Sequence, residues 1–274
     1  MAECTHDCST CAHKCSAQDK ESLLAKPNDG SRIKRIIGVV SGKGGVGKSS
    51  VTTLLAVAMQ KRGFRVGILD ADATGPSIPK AFGLHTGTIV GNEHGMLPAE
   101  TATGIRVMSV NLLVDEEEKP VVWRGPVIAG VITQFYTDVA WGDVDFLFVD
   151  MPPGTGDVPL TVFQSLPVDG IVIVTSPQEL VSMIVQKALT MAEMMKIPVL
   201  GLVENFSYFV CPDCGKKHHI FGESHIFDVA EKNGTRVLAQ LPFDSSVAAL
   251  CDRGEAEALD TAPMSAACDI LSMM

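Results

Sequence analysis

The chain has 274 residues, of which 46% are hydrophobic and 5% aromatic, and its formal net charge at pH 7 is -10. This length suits one α/β domain with an appendage, and no apolar stretch reaches the roughly 18 residues of a membrane-spanning helix. The acidic balance argues against nucleic acid or a membrane as a partner, because both surfaces are themselves negatively charged. Without a basic-then-apolar start that would indicate secretion, we expect a cytoplasmic protein.

The first 31 residues are predicted to form a cysteine-rich N-terminal segment and linker, separate from a main domain over residues 32–274. Four cysteines follow the spacing C-x3-C-x2-C-x3-C, with His6 and His13 between them. Four thiolates this close together could hold an iron–sulfur cluster or a zinc ion within one chain. A tail of redox-sensitive thiols without metal is the alternative. The four candidate ligands are Cys4, Cys8, Cys11 and Cys15.

From residue 33 onward, apolar strand-like runs alternate with helix-like runs. Such alternation predicts a doubly wound, mostly parallel sheet with helices on both faces and ligands at the carboxyl ends of the strands. The predicted strands are 36–41, 65–70, 105–110, 146–150, 170–175, 198–204 and 237–240. The predicted helices are 49–62, 126–139, 160–166, 179–196 and 225–233.

The first strand and the first helix flank the sequence G-K-G-G-V-G-K-S, which fits the phosphate-binding loop pattern G-x-x-x-x-G-K-[ST]. Its glycines let backbone N–H groups turn toward phosphates, and the helix N-terminus adds a favourable dipole. Lys48 would reach the β- and γ-phosphates, and Ser49 would ligate Mg²⁺. A second lysine, Lys43, exceeds what the plain pattern requires. The predicted nucleotide-binding residues here are Gly42, Lys43, Gly44, Gly45, Val46, Gly47, Lys48, Ser49 and Ser50.

Carboxylates follow two of the predicted strands. Asp70 and Asp72 come at the end of strand 65–70, and Asp150 ends the apolar strand 146–150 in the Walker B pattern. Carboxylates placed beside a phosphate-binding loop can hold Mg²⁺ or orient the attacking water. Ordinary turn chemistry is the alternative for Asp70 and Asp72, since Asp favours turns.

A second cysteine motif, C-P-D-C, lies late in the chain at Cys211 and Cys214. Two thiolates on a tight turn leave a tetrahedral site half-filled, and a two-fold dimer would complete it with four. Iron–sulfur and zinc both accept four thiolates, and nearby His218 and His219 keep a structural zinc knuckle open. Two further cysteines are isolated and are assigned to no site: Cys251 and Cys268.

Several of these motifs together resemble one known family. Lys43, the segment 70–79 and the segment 150–157 resemble the deviant Walker A ATPases, a P-loop NTPase class that includes MinD. Within that class they are similar to the Mrp/Nbp35 (ApbC-like) iron–sulfur cluster carriers. The W-R-G-P run at 123–126, and the N-F-S run at 205–207 shortly before C-P-D-C, add to this resemblance.

The resemblance implies a homodimer that closes around two nucleotides. It implies that Lys43 reaches the partner's phosphates and that Asp72 positions the hydrolytic water. Asp70 and Asp150 would lie near Mg²⁺, and Asn205 would contact adenine. The catalytic residues would then be Lys43, Lys48 and Asp72.

The function implied is that of an ATP-binding and ATP-hydrolysing carrier. It would hold a [4Fe-4S] cluster between the Cys211/Cys214 pairs of two subunits, accept it from a cluster donor and pass it to apoproteins. Turnover would be slow and coupled to transfer. One alternative is a MinD/ParA-like positioning ATPase with a structural zinc knuckle. Another is an electron-transfer protein like the nitrogenase iron protein.

Overall fold

A computed structural model describes residues 24–72, 77–113, 125–154, 156–177 and 181–274 of the chain. The predicted N-terminal metal site lies outside the described residues, as do the first two residues of the W-R-G-P run. So do residues 73–76 and 155, which belong to the segments behind the family resemblance.

Nine strands of the described chain form one sheet, in the order β10-β9-β8-β1-β7-β2-β6-β5, with β11 also paired to β9. All neighbouring strands are parallel except for the antiparallel additions β5 and β10. Strands β3 and β4 form a separate antiparallel hairpin. The strands are β1 Ser31–Ser41, β2 Val66–Asp70, β3 Val90–Asn92, β4 Gly95–Leu97, β5 Ala99–Glu100, β6 Arg106–Ser109, β7 Gly142–Asp150, β8 Gly170–Thr175, β9 Val199–Val210, β10 Lys217–His218 and β11 Val237–Pro242.

Helices cover both faces of this sheet. They are α1 Lys48–Lys61, α2 Ser77–Ala81, α3 Gly125–Thr137, α4 Asp157–Ser165, α5 Val181–Met195, α6 Ile226–Lys232, α7 Ser245–Asp252 and α8 Ser265–Ser272. In the part of the chain described, none of them is both long and apolar enough to cross a bilayer.

The apolar side chains form two cores, one on each face of the sheet. Successive residues of a strand point to opposite faces, so Ile37 and Val39 of β1 join one core while Ile36 and Val40 join the other. The first core also contains apolar residues of α1, α2 and α8, and the second contains residues of α3, α4, α5 and α6. The predicted doubly wound α/β fold is therefore confirmed.

Some element boundaries differ from the sequence predictions for identifiable reasons. The strand predicted over 105–110 ends at Ser109, because the Ser109 side chain accepts a hydrogen bond from Asn111 N and caps a 3-10 turn over Val110–Leu112. The strand predicted over 198–204 continues to Val210. The short helices α2, α7 and α8 and the β3–β4 hairpin carry no periodic pattern long enough to have predicted them.

Candidate nucleotide site and cysteine knuckle

The phosphate-binding loop lies between the carboxyl end of β1 and the first turn of α1. Gly45 and Gly47 have φ of 79° and 78°, a left-handed conformation that favours glycine. Gly47 is the N-cap of α1, and the first turn of that helix contains no acidic residue. The helix N-terminus therefore offers N–H groups and a positive dipole end to an anion, as the sequence predicts.

Lys48 is the buried cation of this site. Its Nζ lies 2.8 Å from Asp150 Oδ2 and 3.7 Å from Asp72 Oδ2, and 5% of its side chain is exposed. The Ser49 hydroxyl donates to Asp150 Oδ2 at 2.6 Å. Four of the residues predicted to act on phosphate, metal or water therefore converge at one point.

Asp150 is the acceptor at the centre of this arrangement, and its side chain is fully buried. Its second oxygen, Oδ1, accepts a hydrogen bond from the Thr52 hydroxyl at 2.6 Å. Thr52 lies one turn after Lys48 on α1 and faces the same strand end. The hydroxyl fixes the carboxylate so that Oδ2 points to Lys48 and Ser49.

Asp70 lies beside Asp150, because β2 and β7 are parallel neighbours that place these two residues in register. Burial, followed by the negative charge of Asp150, raises the pKa of Asp70 well above its usual range. The Ser109 hydroxyl, at 2.8 Å, and the Asp72 backbone N–H, at 3.1 Å, donate to its oxygens.

Two adjacent carboxyl groups and the Ser49 hydroxyl lie together at the strand ends, next to the phosphate-binding loop. Mg²⁺ prefers hard oxygen ligands, usually one or two carboxylates together with substrate phosphates. Burial and then the neighbouring charge of Asp150 raise the pKa of Asp70, so a cation beside the two carboxylates would favour their charged forms. The residues Ser49, Asp70 and Asp150 therefore fit the magnesium role predicted for them.

Two cavities adjoin the phosphate-binding loop. The first, of about 470 Å³, is lined by the loop itself together with Asp72, Lys80, Pro153 and Cys251. The second, of about 390 Å³, has a more apolar lining that includes Asn205, Phe206, Leu241, Phe243 and Val247. A polar cavity at a helix N-terminus next to an apolar one suits the phosphates and the base of a nucleotide.

Asn205 lies between the phosphate-binding loop and the apolar cavity, with its side chain buried. Its Nδ2 donates to Val46 O at 3.0 Å, and its Oδ1 accepts from Phe206 N at 3.0 Å. Its predicted contact with adenine stays a prediction. The contact of Lys43 with the phosphates of a partner also stays a prediction. In this chain Lys43 lies half-buried at the start of the loop, where the Ser41 hydroxyl donates to its carbonyl.

Cys211 and Cys214 form a compact knuckle directly after β9. Gly215 N donates to Cys211 O, and Cys211 N donates to Lys216 O, both at 2.9 Å, which closes the turn. The backbone N–H groups of Cys214 and Asp213 point at the Cys211 sulfur and lower the pKa of its thiol. The knuckle therefore favours a thiolate, the form that binds metal.

At this knuckle the described part of one chain offers two thiols, half of the four ligands that the predicted metal site requires. Within the described ranges, no group of three or more His, Cys, Asp or Glu side chains is arranged to hold a metal ion. His219 Nδ1 lies 3.2 Å from the carbonyl oxygen of Ser207, and His218 belongs to β10, where it pairs with Phe209. Neither His218 nor His219 is arranged to complete a metal site at the knuckle, a possibility that the sequence had left open.

The two isolated cysteines have different surroundings. Cys268 is buried in the first core, whereas Cys251 is half-buried and lines the phosphate cavity. Burial raises the pKa of both thiols. No local sequence pattern marks Cys251 as a residue of the cavity, because α7 approaches the cavity only through the tertiary fold.

One known protein family matches most of this chain in sequence. A sequence profile of ParA-type proteins, described as NUBPL iron-transfer P-loop NTPases, matches residues 32–274. The chain belongs to this family. The membership confirms the resemblance to Mrp/Nbp35-type carriers that the motifs indicate.

Relatives of this NUBPL-type chain include two proteins named iron–sulfur cluster carrier protein. The one from Methanocaldococcus jannaschii is 44% identical over 260 residues, covering 93% of this chain and 90% of the relative. The one from Clostridium perfringens is 44% identical over 266 residues, covering 91% and 93%.

Solved structures agree with the fold of this NUBPL-type chain. The nucleotide-binding protein from Archaeoglobus fulgidus in complex with ADP is 45% identical, with a TM-score of 0.76 and coverage of 90% of this chain and 95% of that one. The cell division ATPase MinD from Pyrococcus furiosus is 19% identical, with a TM-score of 0.64 and coverage of 87% and 98%. This second likeness supports the MinD-like P-loop fold alone.

Proposed function

We propose that this protein is an ATP-binding and ATP-hydrolysing carrier that binds a [4Fe-4S] cluster and transfers it to apoproteins. One observation carries the proposal. The Cys211/Cys214 knuckle closes a tight turn that favours a thiolate at Cys211, and it offers two thiols and no third ligand among the described residues. In the same chain, Lys48, Asp72 and Asp150 of the predicted nucleotide site lie together. A cluster that two subunits share, at the half-buried Cys211 and the exposed Cys214 of each, can be both held and released.

The nucleotide half of the proposal rests on the buried residues around Asp150. The phosphates of ATP would lie on the backbone N–H groups of the loop and contact Lys48, which lies 2.8 Å from Asp150. Ser49 and the strand-end carboxylates would hold Mg²⁺, which would supply positive charge to neutralise the phosphate oxygens. The apolar cavity beside Asn205 would accept the adenine.

Hydrolysis would proceed by attack of water on the γ-phosphorus, with ADP as the leaving group. Asp72, whose carboxylate lies 3.7 Å from Lys48 Nζ, would orient that water. Lys48 would stabilise the charge that develops on the phosphoryl oxygens. Lys43 of a second subunit would add charge from across the interface.

The knuckle half of the proposal requires a homodimer. Two thiolates from each subunit give the four ligands that a [4Fe-4S] cluster takes. A cluster donor would load this site, and apo iron–sulfur proteins would unload it. ATP binding and hydrolysis would favour one dimer state over another, which requires a slow turnover rather than a high flux.

The proposal also covers the domain organisation, the cellular location and the partners of the protein. Residues 1–31 form the N-terminal segment, whose four cysteines could hold a further iron–sulfur cluster, and residues 32–274 form the ATPase domain. We place the protein in the cytoplasm, where thiols stay reduced. Neither nucleic acid nor a membrane is a proposed partner.

Anaerobic reconstitution with iron and sulfide tests the cluster assignment. We expect wild-type protein to take up iron and sulfide with a visible absorbance band. The variant Cys211→Ala with Cys214→Ala should lose the bridging cluster while still binding ATP. Cys251→Ala is the matched control, since it removes a thiol outside the knuckle, and it should retain the cluster.

Two results would contradict the proposal. One is a wild-type protein that takes up zinc and never iron, which would favour the alternative of a MinD/ParA-like positioning ATPase with a zinc knuckle. The other is a double variant with the same iron content as the Cys251→Ala control.

A further inference from the structure

Strand β9 contains a bulge at the point where it passes the phosphate-binding loop. Gln240 of β11 pairs with Glu204, and Pro242 pairs with Tyr208, so two steps along β11 correspond to four along β9. Bulges next to functional sites re-aim side chains that a regular strand would point elsewhere. Here the extra residues bring Asn205 and Phe206 onto the loop.

Phe206 adopts a backbone conformation that is rare for a bulky residue. Its φ is 60°, and among the described residues only Lys196 is another non-glycine residue with a positive φ. An aromatic residue in the left-handed region is strained, and such strain persists only where surrounding contacts hold it. An observed outlier of this kind is a reason to ask what the residue does.

The Phe206 side chain contacts three separate parts of the molecule. Its Cζ lies 3.3 Å from the point where a Cβ on Gly47 would be, so the ring packs against the phosphate-binding loop. Its ring centroid lies 5.7 Å from that of Phe243, which lines the apolar cavity, and 6.3 Å from that of Phe221. We refer to Phe206, Phe221 and Phe243 as the aromatic cluster.

The third contact leads to the cysteine knuckle. Phe221 belongs to the loop that follows β10, the strand that returns from the knuckle. The same loop is tied to the bulge a second time, because His219 Nδ1 lies 3.2 Å from the carbonyl oxygen of Ser207. On the other side, β9 runs from Phe206 to Val210 and continues directly into Cys211. Both chain segments that hold the knuckle therefore lead back to Phe206.

We propose that Phe206 is a positioning residue that couples occupancy of the nucleotide cavity to the geometry of the Cys211/Cys214 knuckle. A nucleotide that shifts Gly47 or Phe243 must move the ring packed against both. The ring then moves Phe221 and the strained bulge, and with them the two segments that carry the thiols. The inference rests on the proposed function in taking the knuckle as the place where the cluster binds.

Site-resolved alkylation of the cluster-free full-length protein tests this coupling without any cluster. The protein is treated with iodoacetamide, with and without ADP and Mg²⁺, and the rate at each cysteine is read by peptide mass spectrometry. In wild type, nucleotide should change the rates at Cys211 and Cys214 by about fivefold or more, a typical allosteric coupling. Cys251 lines the phosphate cavity, so its protection reports nucleotide binding in the same sample.

The variant Phe206→Ala should separate these two responses. We expect ADP to keep protecting Cys251, while the change at Cys211 and Cys214 falls to less than about twofold, below the usual range of allosteric coupling. Phe227→Ala is the matched control, because Phe227 is 62% exposed on α6 and is no member of the aromatic cluster. This control should respond as wild type does.

A Phe206→Ala protein that keeps the wild-type response at the knuckle would overturn the inference. A wild-type knuckle that ignores nucleotide while Cys251 is protected would overturn it as well. If Phe206→Ala loses its cooperative thermal transition, Phe206→Leu, which keeps apolar volume, is judged by the same two outcomes. Iron uptake is measured separately, so a coupled knuckle that never binds iron would refute the proposed function and leave the coupling intact.

Discussion

The two functional regions of this molecule are built in opposite ways. Around Asp150, one chain brings the buried amine of Lys48, the buried hydroxyl of Thr52 and the half-buried hydroxyl of Ser49 to hydrogen-bond distance, and the buried carboxylate of Asp70 lies on the neighbouring strand. At the knuckle, the same chain leaves Cys214 exposed and offers no third ligand among the residues that the structure describes. On the proposed function, the residues that would act on phosphate are held together by buried contacts within one chain, whereas the thiols that would give up a cluster are open and shared between chains.

Removal of Lys48 should break the first region and spare the second. Lys48→Ala deletes the cation on Asp150 and the phosphate contact, so we expect ATP hydrolysis to fall by about 100-fold or more. Lys80→Ala is the matched control in the same cavity. Its amine is exposed and paired with Asp252 at 2.9 Å, so we expect a loss below about tenfold. Phosphate-release assays measure both.

Iron uptake at the knuckle should be the same in Lys48→Ala as in wild type, provided reconstitution is done without nucleotide. Equal losses of hydrolysis in the two lysine variants, or normal hydrolysis by Lys48→Ala, would show that the nucleotide site has been assigned wrongly.

The orientation of the Asp150 carboxylate in the first region depends on Thr52. Thr52→Val keeps the shape of the side chain but removes the hydroxyl that donates to Asp150 Oδ1. Because a buried carboxylate oxygen then lacks a partner, we expect the free energy of unfolding to fall by about 1–3 kcal/mol. Hydrolysis should also decrease, since the carboxylate is no longer held toward Lys48. Urea titration and phosphate release measure the two effects.

Thr133→Val is the control for that variant, because the Thr133 hydroxyl bonds only the Ala129 carbonyl within α3. It should change the free energy of unfolding by no more than about 0.5 kcal/mol. Similar costs for the two threonine variants would mean that Asp150 gains nothing from Thr52.

Strand β7 allows a comparison between two carboxylates of one strand. Asp150 ends the strand at the nucleotide site, and Asp145 lies nearer the start of the strand. Hydrogen bonds from Arg65 and Lys34 hold the pKa of Asp145 below its usual range. Its contribution to stability is therefore complete above a pH of about 4 and is lost as the pH falls through the lowered pKa. Asp145→Asn should cost about 1–2 kcal/mol at pH 7, and its stability should depend less on pH in acid.

Urea titrations between acid and neutral pH measure this effect. Asp143→Asn, whose carboxylate is half exposed, should cost about 0.5 kcal/mol or less at pH 7. If the free energy of unfolding of Asp145→Asn fell with decreasing pH as steeply as that of wild type, the stabilising role given to Asp145 would be contradicted. ATP binding should be unaffected in both variants, because this end of β7 is a structural one.

The sequence predicts the region around Asp150 better than it predicts the surroundings of the cysteine knuckle. The glycines, Lys48 and the strand-end carboxylates follow a local pattern, and parallel strand ends necessarily meet at one edge of the sheet. The hydrogen bonds that hold the carboxylates come from residues far from them in the sequence, such as Thr52 and Ser109. Those hydroxyls could equally have bonded their own backbone. No local signal marks a bulge with a phenylalanine at positive φ, because propensity disfavours that conformation and only tertiary contacts impose it.

The central claim is that one chain holds the nucleotide-site residues around Asp150 together, whereas two chains are needed to complete the cluster site. Native mass spectrometry of anaerobically reconstituted protein tests it most directly, on a full-length variant in which the N-terminal cysteines Cys4, Cys8, Cys11 and Cys15 are alanine. We predict that intact clusters occur only on the two-chain species, at about two iron atoms per chain, and that adding Cys211→Ala and Cys214→Ala removes them. A single chain that carries an intact four-iron cluster would contradict the claim.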